Sequence, residues 1–146
     1  MEDSPIERLI LVVENNPDHT RLIEDAFKEN SRAHHIVAIS DGVQALDFLH
    51  RQGNYTDATR PDLILLDLNL PGKDGRELLA EIKADPHLRR IPIVVLTTST
   101  NEEDIFTSYA LQGNCYVIKS CELAQLFELV KRIEEFWLGI VTLPGE

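Results

Sequence analysis

Five short apolar runs rich in β-branched residues recur along the chain: "LILVV" at 9–13, "HIVAI" at 35–39, "LILL" at 63–66, "IVVL" at 93–96 and "CYVI" at 115–118. Four show little polar alternation, the pattern of strands covered on both faces of a parallel sheet. The stretches between them have helical period. Pro17 follows Asn16 where a first-turn proline is tolerated, and Leu22, Ile23, Ala26 and Phe27 then share one face before Asn30. Ala45, Leu46 and Leu49 repeat the pattern after "SDG", and Leu78, Leu79 and Ile82 after Gly75. A fourth helix is expected to open at Asn101, with Glu102, Glu103 and Asp104 at its positive end and Ile105, Phe106, Tyr109 and Ala110 facing inward. The fifth spans 122 to about 138, with Leu123, Leu126, Phe127, Val130, Ile133 and Trp137 as its apolar repeat, and Gly139 as its stop.

Strands alternating with helices make an α/β chain, (βα)5, whose right-handed crossovers wind it twice around a five-stranded parallel sheet. The flavodoxin-like strand order 2-1-3-4-5 is the expected one. Residues 1–146 read as a single domain with an apolar tail at 139–146. No apolar stretch reaches the roughly 18 residues of a membrane span, and "MEDSPIER" is not a signal peptide, so a cytoplasmic location is expected. The two cysteines, Cys115 and Cys121, make neither a disulfide framework nor a zinc spacing. A net charge of −11, with no basic run longer than Arg89–Arg90, argues against nucleic acid as a partner.

Sites in such a sheet form beyond the carboxyl ends of the strands. Glu14 and Asn15 follow the first strand, Asp67 the third, Thr97 the fourth and Lys119 the fifth. Two carboxylates in one crevice repel unless a cation lies between them. An all-oxygen donor set suits Mg²⁺, which takes one or two carboxylates and keeps room for a phosphoryl oxygen. Such a site positions a phosphoryl group for in-line attack by an aspartate oxygen, while Lys119 and Thr97 hold the remaining oxygens.

With "VVEN", "DLNLPGKDG", "LTTS" and "YVIKS" at these strand ends, residues 8–138 resemble the receiver domain of two-component response regulators. Thirty residues separate Asp67 from Thr97 and 22 separate Thr97 from Lys119, spacings similar to those of chemotaxis-type receivers. The resemblance implies that Asp67 is the phosphoacceptor, charged by a sensor histidine kinase with Mg²⁺ bound. It implies Glu14, Asn15, Asp67 and the Asn69 carbonyl as metal ligands, and Thr97, Thr98 and Lys119 as phosphoryl-binding groups. Thr97 and Tyr116 would be the switch residues; Tyr116 reads equally as a half-buried strand aromatic. The segment "HRQGNYTDATRP" and the closing "FW" with an apolar tail resemble the single-domain regulators paired with bacterial phytochromes. That likeness implies a phytochrome kinase as partner and a homodimer using Phe136, Trp137, Leu138, Ile140, Val141 and Leu143. It implies a signalling module that assists its own phosphorylation, with no metabolite turned over.

Two positions depart from the pattern. Asn15 stands where receivers carry a second acid, which predicts weaker Mg²⁺ binding, and Ser120 replaces the proline that normally follows the lysine. Both leave open a binding-only receiver that no longer accepts phosphate. An aspartate-nucleophile phosphatase is disfavoured because Asn69 occupies the place of its acid/base aspartate. A flavodoxin is disfavoured because "ENNPDH" lacks a hydroxyl-rich phosphate cradle. His19, near the proposed site, could touch the phosphoryl entry path but reads more readily as a solvated first-turn residue, and His34 and His35 read as loop residues.

Overall fold

The computed structural model describes residues 7–29 and 34–144. The strands are β1 (Arg8–Val13), β2 (His34–Ile39), β3 (Leu63–Leu66), β4 (Ile93–Thr97) and β5 (Cys115–Ile118). They alternate with α1 (Pro17–Lys28), α2 (Gly42–His50), α3 (Gly75–Ala84), α4 (Glu102–Ala110) and α5 (Leu123–Glu134). The pairings are all parallel and the order is β2-β1-β3-β4-β5, the doubly wound arrangement expected from the alternation.

Successive side chains of a strand point to opposite faces, and β1 shows how this divides the core. Ile10 and Val12 pack with Ile23, Ala26 and Phe27 of α1 and Leu126, Val130 and Ile133 of α5. Leu11 and Val13 pack on the other side with Ala45, Phe48 and Leu49 of α2 and Leu78, Leu79 and Ile82 of α3. Every residue of β3 and β4 is buried, so neither strand has a solvent face to alternate with. All strand carboxyl ends emerge on one side, and the site forms there.

Several details differ from expectation. α4 turns Phe106 and Tyr109 outward, 74% and 51% exposed, and Ala110 is exposed as well; its one buried residue is Ser108. The bonds that seat α4 are polar instead, Asp104 being held by Arg76 and Ser99. Leu123 is likewise exposed at the start of α5. Gly139 does not stop the last helix, which loosens into a π-helical segment at Glu135–Ile140. His34 is no loop residue: it opens β2 and places Nε2 2.9 Å from Oε2 of Glu134, with both side chains almost fully buried. His35 also lies in β2, and Asn30, the expected end of α1, falls outside the described residues.

The tail divides. Trp137 and Leu138 pack on the α1/α5 side of the core, and Leu143 is buried, whereas Phe136 and Ile140 are 48% and 75% exposed and Val141 is half-buried. The six residues expected at a dimer contact therefore do not form one free surface. The basic residues are less scattered than the sequence suggested, since Arg51, Arg60 and Arg90 line one groove with His50 and His87. Among the described residues, no helix is long and apolar enough to cross a membrane.

Candidate functional site

β3 runs straight into Asp67, whose backbone N–H still donates to the Val13 carbonyl at 3.0 Å, so the carboxylate leaves the sheet at a fixed height. The chain then turns through Pro71 and Gly72, the latter at φ +74°. Gly75, the first residue of α3, lies so close behind the site that a β-carbon there would sit 2.5 Å from the Asp67 carbonyl oxygen. Only glycine lets α3 start against the strand end. The sequence marked Gly75 as a helix start without indicating this close approach.

Lys119 crosses the crevice. It continues β5, its N–H donating to the Thr97 carbonyl at 2.7 Å, and its ammonium donates to Glu14 Oε1 at 2.7 Å and to Asp67 Oδ2 at 3.2 Å. The side chains of all three are 2–10% exposed. The cation that two neighbouring carboxylates require is thus supplied by the protein itself. Burial pushes the Glu14 carboxyl above its ordinary value, and the bond and charge of Lys119 oppose that shift. The peptide after Lys119 is trans, as are the others described, and the Ser120 hydroxyl donates to Gln125 at 2.8 Å.

Of the remaining expected residues, Asn69 bonds Asp67 directly, and the others lie at or just beyond the same strand ends or within β5. Thr97 is fully buried and its hydroxyl has no hydrogen-bond partner, an orphaned donor of the sort a bound oxyanion would satisfy. Thr98, one residue on, is exposed. Asn69 donates its N–H to Asp67 Oδ1 at 3.1 Å, and Asn15 is exposed at the rim. Tyr116 is half-buried, and its hydroxyl donates to the Ser99 carbonyl at 3.0 Å, tying β5 to the loop that follows Thr97. Two buried carboxylates that approach one cation, Lys119, form an oxygen donor pair of the kind a hard divalent cation takes. Among the described residues, no group of three or more His, Cys, Asp and Glu side chains is arranged to hold a metal ion by itself.

Sequence reasoning placed His19 near the site but preferred a solvated residue. It is not solvated: its side chain is 17% exposed and Nδ1 lies 3.0 Å from Lys119 Nζ. Burial first, and then the neighbouring ammonium, lowers its pKa from the ordinary 6.5 and favours the neutral ring.

Residues 10–131 match the response regulator receiver domain family. The chain belongs to the receiver-domain family. A receiver is a phosphoacceptor module rather than an enzyme that turns over a metabolite. This receiver is 51% identical over 144 residues to response regulator Rcp1 of Synechocystis sp., covering 99% of this chain and 98% of that protein. It superimposes on the crystal structure of the phosphorylated cyanobacterial phytochrome response regulator RcpA with TM-score 0.94 and 56% identity, covering 96% of this chain and all of the other. The Mn²⁺-bound form of Rcp1 matches it with TM-score 0.92 and 52% identity, covering 94% and 99% of the two chains. The receiver is closely related to phytochrome-associated regulators.

Proposed function

We propose that this receiver accepts a phosphoryl group on Asp67 from the phosphohistidine of a bacterial phytochrome kinase and signals through the resulting change of conformation. The carrying observation is the Lys119 ammonium held between Asp67 and Glu14, with Thr97, whose hydroxyl is buried and unpartnered, bonded through its carbonyl to the Lys119 N–H. An Asp67 oxygen attacks phosphorus as the bond to the histidine nitrogen breaks. Lys119 and Thr97 then take phosphoryl oxygens, and Thr98 flanks them at the surface. The Tyr116 bond to Ser99 would carry a shift of Thr97 to the α4–β5 surface. The likeness to the RcpA and Rcp1 regulators supports the choice of kinase.

Glu14, Asp67, the Asn69 carbonyl and the Asn15 amide are the groups that would hold Mg²⁺, which would neutralise charge on the phosphoryl oxygens. The Mn²⁺-bound form of Rcp1 supports a divalent site. With Asn15 in place of an acid, binding is expected to be weaker than in Asn15→Asp by about tenfold. Equal affinities in a Mg²⁺ titration of the two proteins would refute this.

Residues 1–146 act as one domain in this reading. A homodimer would use Phe136 and Ile140 together with the exposed Phe106, Ile118 and Leu123. Phe136→Glu with Ile140→Glu should then lower the mass seen in sedimentation.

Incubation with acetyl phosphate and Mg²⁺, read by intact mass, tests the reading. A phosphoryl adduct that is absent from Asp67→Asn is expected. No adduct on the wild type would instead favour a binding-only receiver.

A further inference from the structure

We infer that His19 is a positioning residue for Lys119, taking one N–H of the ammonium and thereby fixing the direction of the other two. An ammonium has three donors and no acceptor. The Lys119 side chain is 2% exposed, a burial at which an unpaired N–H is costly. Its three acceptors are Glu14 Oε1 at 2.7 Å, His19 Nδ1 at 3.0 Å and Asp67 Oδ2 at 3.2 Å. With two donors committed to Glu14 and His19, the third can only point at Asp67 or at a group attached to it.

A circuit of hydrogen bonds fixes the His19 backbone beside Glu14 and closes through the imidazole. Glu14 Oε2 accepts from the Asn16 backbone N–H at 3.1 Å, and the Asn16 side chain, capping α1, accepts from the His19 backbone N–H at 3.3 Å. His19 Nδ1 accepts from Lys119, and Lys119 returns to Glu14 through its other oxygen. The ring joins the end of β1, the first turn of α1 and the end of β5. The third residue of a helix is commonly a Glu or Gln that reaches back to the cap. A glutamate here would add a third carboxylate beside Glu14 and Asp67 and compete for the ammonium. Imidazole offers an acceptor without a charge.

The role of Lys119 at a phosphorylated Asp67 rests on the function proposed above; the placement of His19 does not. Accepting through Nδ1 requires the proton on Nε2, so the tautomer is a direct consequence. ¹⁵N NMR of the resting protein should show His19 as the neutral Nε2–H form, and a ring carrying its proton on Nδ1 would overturn the inference. Against acetyl phosphate, His19→Leu should slow phosphorylation about tenfold with its half-saturating Mg²⁺ unchanged, and His19→Asn, which keeps an acceptor, should return to within about threefold of wild type. A wild-type rate in His19→Leu, or an Asn variant as slow as the Leu variant, would contradict it. If even the wild type takes no phosphoryl group, the Asp67 reading fails, and the tautomer still decides for or against His19.

Discussion

α1 and α4 look alike as sequence patterns and are held to the sheet by different forces. α1 buries Ile23, Ala26 and Phe27 between β1 and α5, whereas α4 buries only Ser108 and leaves Phe106 in solvent. Polar bonds hold α4 instead. Arg76 Nε and Nη2 each reach an Asp104 oxygen at 2.7 Å, Ser99 donates to the same carboxylate at 2.7 Å, and the Tyr109 hydroxyl accepts from the Tyr116 N–H at 3.2 Å. Apolar burial is lost whenever a helix leaves its seat, but bonds of this kind can be exchanged for others at small net cost. On the proposed function, α4 is the helix that a change at Thr97 and Tyr116 would move, while α1, which carries His19 and borders Glu14, would stay in place.

The sharpest way to break this contrast is to truncate one aromatic in each helix. Phe27→Ala should lower stability by about 4 kcal/mol, whereas Phe106→Ala should change it by less than about 0.5 kcal/mol, both from urea midpoints at constant slope. Comparable losses would mean that α4 is packed as firmly as α1. Arg76→Ala comes next, at about 1 kcal/mol, since the pair is only partly shielded from water. Its effect should depend on pH. Bonds from Arg76 first, and then from Ser99, bring the Asp104 carboxyl from 3.8 down to about 2. A carboxyl lowered in the folded state contributes fully above its unfolded value and loses the contribution as pH falls through its folded value. The gap between Arg76→Ala and wild type should accordingly close between pH 3.8 and 2; a gap constant over that interval would show that the pair does not hold α4. An effect as small as that of Phe106→Ala, and of opposite sign if any, is expected at Ser108, whose buried hydroxyl has no partner. Ser108→Ala should be neutral or stabilise by about 0.5 kcal/mol, and a clear loss of stability would reveal a bond to that hydroxyl.

What could be foreseen follows the same division. The strands and the convergence of Glu14, Asp67, Thr97 and Lys119 were legible, because continuous apolar runs specify a sheet covered on both faces and a polar residue ending each run must emerge at its rim. The direction of α4 was not, since periodicity identifies an apolar side without saying whether a neighbour covers it. His19 and Lys119 are 100 positions apart, as are His34 and Glu134, and no local pattern links residues at such a separation. The continuation of the last helix through Gly139 was missed because Trp137 and Leu138, packed on the α1/α5 core, carry the chain past a residue that ends helices elsewhere.

The central claim is that the carboxylate at the end of β3, and no other, becomes an acyl phosphate. Reduction of the phosphorylated protein with borohydride, followed by peptide mapping, locates the modified side chain directly. Conversion confined to residue 67 is predicted. Conversion at Glu14 or another acid, or none in a protein that has taken up phosphate, would contradict the account.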